Sequence, residues 1–305
     1  MKPFLLFWIC SQLICVSLKA QQDTTAFNVP LQMDDVVISA ARKGWDVAGF
    51  IRRVQTDTTF YKAFRSLHVV AYTATNDIRM YNKKEEVIAS LLSHTRQLRR
   101  NNCRSTQVID EKVTGDFYKR NGSYRYFTAG LFAYLFFTKG SICGENDMVA
   151  NTMQEREPGL MGKSEWQLKQ LVFNPGGKIK GVPFIGNKAS IFEPEIAKMY
   201  DFKLLSVDYA GEDCYLFQAI PKQEYQSEVV YNELSTWFRK SDYSIVARDY
   251  SLSYKAGVYD FDVRMKVRLQ IVGNKLLPSR IEYDGNWHVM MQDRERSRFS
   301  ATFVY

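Results

Sequence analysis

Residues 261–271 read Phe-Asp-Val-Arg-Met-Lys-Val-Arg-Leu-Gln-Ile. Phe261, Val263, Met265, Val267, Leu269 and Ile271 are apolar, and every residue between them is polar. Successive side chains of a β-strand point to opposite faces of its sheet, so this is a long strand with one face buried and the other in water. What covers the apolar face decides the function: the protein's own helices, a bound lipid, or the hydrocarbon of a membrane.

Outward from this strand the pattern repeats. Tyr200 to Val207, Tyr215 to Ile220, Ser235 to Phe238, Ile245 to Tyr254, Leu277 to Asp284, Trp287 to Met291 and Arg298 to Tyr305 are further strand candidates. Gly211, Gly257, the pair Gly273-Asn274 and the triplet Asp284-Gly285-Asn286 mark turns between them. Strands in sequence joined by short turns imply an antiparallel meander.

The first half of the chain has a different period. Asp34 and Asp35 precede Val36, Val37, Ala40 and Ala41, with Arg42, Lys43 and Gly44 at the end, which is the order of a short helix. Asp46 is placed to cap a second helix carrying Val47, Phe50, Ile51 and Val54, and Thr58 or Thr59 opens a turn through Phe64. His68 to Tyr81 alternates as a strand. Lys84 to Arg100 then reads as a helix, because Val87, Ile88, Leu91, Leu92, Thr95 and Leu98 fall on one helical face and Arg96, Arg99 and Arg100 suit its C-terminal dipole. Phe127 to Phe137 is the most apolar run after residue 20, and its periodicity fits helix and strand equally. Gly144 to Lys163 reads as a surface loop, and Ser164 as the cap of a short helix through Val172.

Lys2, the apolar run Phe4 to Leu18 and Ala20 before Gln21 have the layout of a secretory signal peptide. The run is shorter than the ~20 residues a membrane-crossing helix needs, and Ile14 stands where a lipid-attachment Cys15 would want a small residue. The chain of 305 residues carries a formal charge of +8, of which the leader takes Lys2 and Lys19; nucleic acid is an unsuitable partner for an exported chain. Cys10 and Cys15 lie in the leader. Of Cys103, Cys143 and Cys214 at most two pair within the chain; Cys103 and Cys143 sit in loop-like stretches and are the preferred couple, with Cys214 a buried thiol.

A search for chemistry returns little. His68, His94 and His288 are dispersed without ligand spacing, and zinc-protease, nucleophile-elbow, phosphate-loop and dinucleotide motifs are missing. Asp208, Glu212 and Asp213 surround a glycine turn, which suits a solvated loop. The cluster Arg96, Arg99, Arg100 and Arg104 reads as a solvated helix end, with contact to lipid phosphates as its functional alternative. Phe299, Ala301, Phe303 and Tyr305 alternate to an aromatic C-terminus, as in a terminal outer-membrane barrel strand, although any final sheet strand gives the same pattern.

Met161-Gly162-Lys163-Ser164 through Leu168, Phe173-Asn174-Pro175-Gly176, Val182-Pro183-Phe184-Ile185-Gly186, Ile191-Phe192-Glu193-Pro194 and Tyr200-Asp201-Phe202-Lys203-Leu204, with Gly211, Cys214, Tyr215 and Pro221, follow a recognisable order. They resemble a group of exported Bacteroidetes proteins of unknown function, often found with a carboxypeptidase-regulatory-like domain. The helices-then-meander order, with Trp237-Phe238-Arg239, Ile245, Pro278 and Ile281-Glu282-Tyr283, is similar to the half-barrel of periplasmic lipoprotein carriers. That second likeness implies a curved antiparallel sheet closing over helices, with acyl chains held on its concave face.

The expected fold is therefore α+β, a large curved antiparallel sheet packed against N-terminal helices. A leader at 1–20 precedes one domain over 21–305, helical at about 33–105 and β-rich at about 179–305. The expected function is non-enzymatic: a periplasmic or outer-membrane-associated protein that binds an apolar, lipid-like ligand or an envelope partner. Val263, Met265, Val267, Leu269 and Ile281 are its candidate contacts, with no cofactor or metal. The alternatives are an integral outer-membrane barrel and, third, an envelope glycan hydrolase with two carboxylates facing a cleft.

Overall fold

Asp34 ties the first helix to the sheet. One oxygen of its carboxylate accepts from the Val37 backbone N–H at 2.8 Å and starts helix α1 (Asp35–Arg42); the other accepts from the Ser206 N–H at 2.6 Å and fixes that helix to the sheet. Asp46 caps α2 (Val47–Thr56) through the Gly49 N–H, and Asp57 holds the first turn of α3 (Thr59–Ser66). A 3-10 turn, Leu67–Val69, closes the helical block. The computed structural model describes residues 25–26, 29–138, 140–148, 171–177, 185, 187–255, 259–289 and 293–305. The leader, most of the loop expected at 144–163, most of the helix expected at 164–172 and the turn at Gly257 lie outside them.

The described strands are β1 (Thr25–Ala26), β2 (Val29–Met33), β3 (Tyr72–Tyr81), β4 (Val87–Arg100), β5 (Cys103–Gly115), β6 (Ser141–Cys143), β7 (Tyr200–Tyr209), β8 (Glu212–Pro221), β9 (Tyr231–Arg239), β10 (Ile245–Lys255), β11 (Tyr259–Val272), β12 (Lys275–Val289) and β13 (Glu295–Val304). They form one open, curved sheet in the order β1-β2-β7-β8-β9-β10-β11-β12-β13-β3-β4-β5-β6. Neighbours run antiparallel except β2 and β7, which are parallel with Leu31 beside Phe202, so the sheet is mixed. The last strand pairs with the first long one, Ala301 opposite Asn76, which joins the C-terminal meander to the strands β3 to β6.

Two sequence expectations are corrected. Lys84 to Arg100 is not a helix: β4 pairs along its length with β3 and β5, and helical structure before β3 ends at Val69. Its inward residues are Ala89, Leu91, Ser93, Thr95 and Gln97, while Ile88, Leu92 and Leu98 face solvent, so the period of two is hidden by polar residues inside and apolar ones outside. The triplet at Asp284 is not a turn. β12 continues through it, and Gly285 is needed because the Tyr283 phenol lies across its Cα, where a Cβ would collide with it. The undecided run forms helix α4 (Phe127–Phe136), and Pro194–Ala197 forms a short α5.

The core lies between the helices and one face of the sheet. Phe50 of α2 meets Phe238 edge-on at 5.2 Å, Phe60 of α3 meets Tyr250 at 6.2 Å, and Phe132 of α4 stacks on Phe299 at 4.2 Å. The opposite face carries charge ladders. Cys103 and Cys143 are joined in a disulfide between β5 and β6, and Cys214 is a buried free thiol.

Candidate functional site on the inner sheet face

Strand register defines the site. One rung of paired residues crosses nine strands: Phe217, Thr236, Arg248, Val267, Ile281, Ala301, Asn76 and Ser93, which face inward, and Glu111, which is exposed on β5. The next rung holds Ala219, Leu234, Tyr250, Met265, Tyr283, Phe299, Ile78 and Leu91, and ends at the exposed Val113 of β5. The centre is apolar, and polar groups lie on both sides of it in the first rung.

All five sequence candidates lie in this centre. Val267 opposes Ile281, Met265 opposes Tyr283, Val263 opposes Gly285 and Leu269 opposes Pro278. Val263, Val267 and Ile281 are fully buried, and Met265 and Leu269 nearly so, all in one cluster with Phe60, Phe64 and Phe132 from α3 and α4. In this closed arrangement helices sit over the face on which the candidates lie.

The two polar ends differ. Arg248 is buried beneath α3, with its guanidinium 4.4 Å from the Phe60 ring centroid, its Nε donating to Thr236 Oγ1 at 2.9 Å and an ion pair to Asp57 at 3.6 Å. Burial lowers its pKa while Asp57 opposes the shift. At the other end Asn76 is completely buried. Its Nδ2 donates to Ser93 Oγ at 3.4 Å and Thr95 Oγ1 at 3.3 Å, and its Oδ1 has no hydrogen-bond partner. The Tyr72 hydroxyl on the same strand is also unpartnered, and burial raises its pKa, with the Arg104 charge acting the other way.

Arginines 96, 99, 100 and 104 do not form the helix end expected from the sequence. Arg96 and Arg100 are exposed on β4, Arg99 donates to the His68 carbonyl at 3.2 Å, and Arg104 is buried against Glu145 at 2.6 Å. Burial opposes ionisation of Glu145, but hydrogen bonds from His68 and Arg104 outweigh it and bring its pKa down to about 2. This cluster locks β6 and the residues after it onto the end of the helical block.

The outer face holds a shallow groove of about 470 Å³ lined by Asp77, Arg79, Arg264, Lys266, Glu282 and Asp284, among others. Asp77, Glu282 and Asp284 each face an arginine: Arg79, Arg280 and Arg298. No group of three or more His, Cys, Asp or Glu among the described residues is arranged to hold a metal ion, and none of their helices is long and apolar enough to cross a membrane.

The sequence reading missed Arg248, Asn76, Ser93 and Thr95. The signal for Arg248 and Asn76 was available, since each is a polar residue at the inward parity of a strand whose other inward residues are apolar; on β4 Ser93, Thr95 and Gln97 share the inward parity, so Ser93 and Thr95 do not stand out.

No protein-family model and no curated protein matches the chain. Among solved structures it is similar to an outer-membrane lipoprotein-sorting protein domain from Vibrio parahaemolyticus, at 12% identity over 87% of this chain and 92% of that one, with a TM-score of 0.27. It is also similar to a DUF1329 family protein from Desulfovibrio piger, at 13% identity, 81% and 92% coverage and a TM-score of 0.23. A lipovitellin structure follows at 7% identity, covering 77% of this chain and 25% of its own, with a TM-score of 0.27. Resemblances this distant leave the function to the geometry.

Proposed function

We propose that the chain is an exported, non-enzymatic envelope protein that binds an apolar, lipid-like ligand between its helices and the inner sheet face. The observation that carries this reading is the way the apolar rungs are closed. They are covered by separate helices, α3 and α4, which pack on the face through Phe60, Phe64 and Phe132 and are pinned by Asp57 with Arg248 and by Glu295 with Thr128, so a guest gains access by lifting a helix while the strand ladder stays paired. α4 suits that role because none of its ten residues is charged. Val263, Met265, Val267, Leu269 and Ile281 form the wall against which acyl chains pack. The Cys103–Cys143 disulfide accords with an oxidising compartment.

An integral barrel fits less well. The described sheet is open, with β1 and β6 at its edges, and its outer face carries Arg264, Lys266 and Arg298 where a lipid-facing band would need apolar residues.

Native mass spectrometry of the gently purified mature protein tests the proposal. A retained lipid-sized mass is expected, together with a fall in melting temperature on delipidation, because a ligand that binds only the folded state stabilises it. A clean apo mass, with a melting temperature indifferent to added lipid, would overturn it.

A further inference from the structure

The inner face of a covered sheet ought to be apolar, and on β9 to β12 the one charged exception, Arg248, is matched by Asp57, Thr236 and the Phe60 ring. On β3 and β4 the exceptions are Asn76, Ser93, Thr95 and Gln97, each no more than 3% exposed; Gln97 is taken up by the Leu67 and Val70 carbonyls and by Arg104, which leaves Asn76, Ser93 and Thr95 as a stripe without a charge of its own. Burying a carboxamide with one polar atom unmatched costs on the order of 1–3 kcal/mol, and an apolar residue of the same shape would avoid that cost. The polar stripe is therefore unfavourable for the closed fold alone and favourable where a guest supplies the missing partner.

We infer that Asn76, with Ser93 and Thr95, reads the polar end of the ligand, and that this end is a neutral hydroxyl-bearing group. The inference rests on the lipid-binding reading above. Three features of the site select the chemistry. First, Ser93 and Thr95 hydroxyls both donate and accept, so the Asn76 amide is satisfied by them in either orientation and presents its remaining oxygen or nitrogen to the guest. A hydroxyl complements both. Second, the flanking rung holds Phe299, Ile78 and Leu91, Ala301 and Ala74 lie beside Asn76, and the buried cation farther along the sheet, Arg104 of β5, is already held by Glu145 and Gln97, so a carboxylate or phosphate at Asn76 would lack a counter-ion. Third, the residues beside the carboxamide on this face, Ala301 opposite it and Ala74 along the strand, are small. The apolar rungs through Ile281, Val267 and Met265 run directly away from it, which orients a chain with its head at Asn76 and its tail toward β10.

The test offers the delipidated mature protein an equimolar mixture of oleyl alcohol, oleate and 1-octadecene carried on cyclodextrin, and reads bound masses by native mass spectrometry. Oleyl alcohol is expected to exceed 1-octadecene by about tenfold, the worth of one buried hydrogen bond, and oleate not to be enriched. Asn76→Leu, which removes the unmatched amide, is expected to keep or raise the melting temperature while the alcohol-to-alkene ratio falls to about one. A merely structural Asn76 predicts the reverse, a lowered melting temperature with the ratio unchanged, and that result would overturn the inference. So would equal uptake of all three probes, or a preference for oleate, by the unaltered protein. If no probe is retained, the lipid-binding reading itself falls and takes this one with it.

Discussion

The carboxylate of Glu295 on β13 accepts two hydrogen bonds from Thr128, one from its backbone N–H and one from its hydroxyl, each at 2.8 Å. Its second oxygen accepts from the Phe127 N–H at 2.5 Å. α4 has no capping side chain of its own at Tyr126, so a residue 167 positions away in sequence supplies both the cap and the negative charge that the helix N-terminus favours. The cover of the inner face is thus tied to the strand next to β12, on which part of the candidate site lies.

Glu295→Ala should loosen that cover without unfolding the sheet. Loss of a cap costs about 1 kcal/mol, which corresponds to roughly a fivefold rise in local opening. Hydrogen exchange across Phe127–Phe136 should quicken by that factor, while exchange in α2, which Asp46 caps, stays unchanged. Equal acceleration in both helices would show that Glu295 supports the whole fold and not the cover.

At the other end of the site, Asp57→Ala should be among the most damaging single changes, costing about 3–5 kcal/mol, because it leaves the Arg248 charge buried and removes the α3 cap as well. Adding Arg248→Met should recover part of that loss, since an apolar side chain beside Phe60 needs no counter-ion. Urea unfolding of the two single variants and the double gives the coupling directly; additive losses would mean that the pair at 3.6 Å contributes little.

Gly285→Ala should fail for a local steric reason. The added methyl meets the Tyr283 phenol, which also accepts from the Trp287 indole N–H, so tyrosine and tryptophan must both move. Overpacking of this kind costs about 1–3 kcal/mol and should appear as a lower urea midpoint with altered Trp fluorescence. An unchanged midpoint would mean that Tyr283 has room to leave.

The architecture was legible where both faces of a strand obeyed their rule. β11 keeps apolar residues inward from Phe261 to Leu269, and the alternation read at 261–271 lies wholly within the strand, Tyr259–Val272. β4 was misread because Ser93, Thr95 and Gln97 point inward while Ile88, Leu92 and Leu98 point out, and that mixture mimics the spacing of a helix. The residues that defeated the pattern are those that make β4 chemically distinctive, since local rules are broken where something other than stability is served. The Gly285 error has the opposite origin: a glycine needed for close packing looks like a glycine needed for a turn. Neither the Asp57–Arg248 pair nor the Glu295 cap was available to the reading, because each joins segments more than a hundred residues apart.

Acid should weaken the β5–β6 end first. Hydrogen bonds from His68 and Arg104 hold the pKa of Glu145 near 2, below its ordinary value of 4.5, despite the opposing effect of burial. A carboxylate whose folded pKa is depressed contributes stability that is complete above the unfolded value and is lost as pH falls through the folded one. The contribution should therefore be full at pH 6 and fade between about 4.5 and 2, with Arg104 left buried beside a neutral acid. Urea midpoints taken from pH 6 to pH 2.5 should decline in the native protein, and Glu145→Gln should remove that part of the slope while starting from a lower midpoint at pH 6. Other carboxylates titrate over the same range, so the decisive quantity is the difference between the two curves: it should narrow steadily below pH 4.5, and a constant gap would assign the acid sensitivity to residues elsewhere.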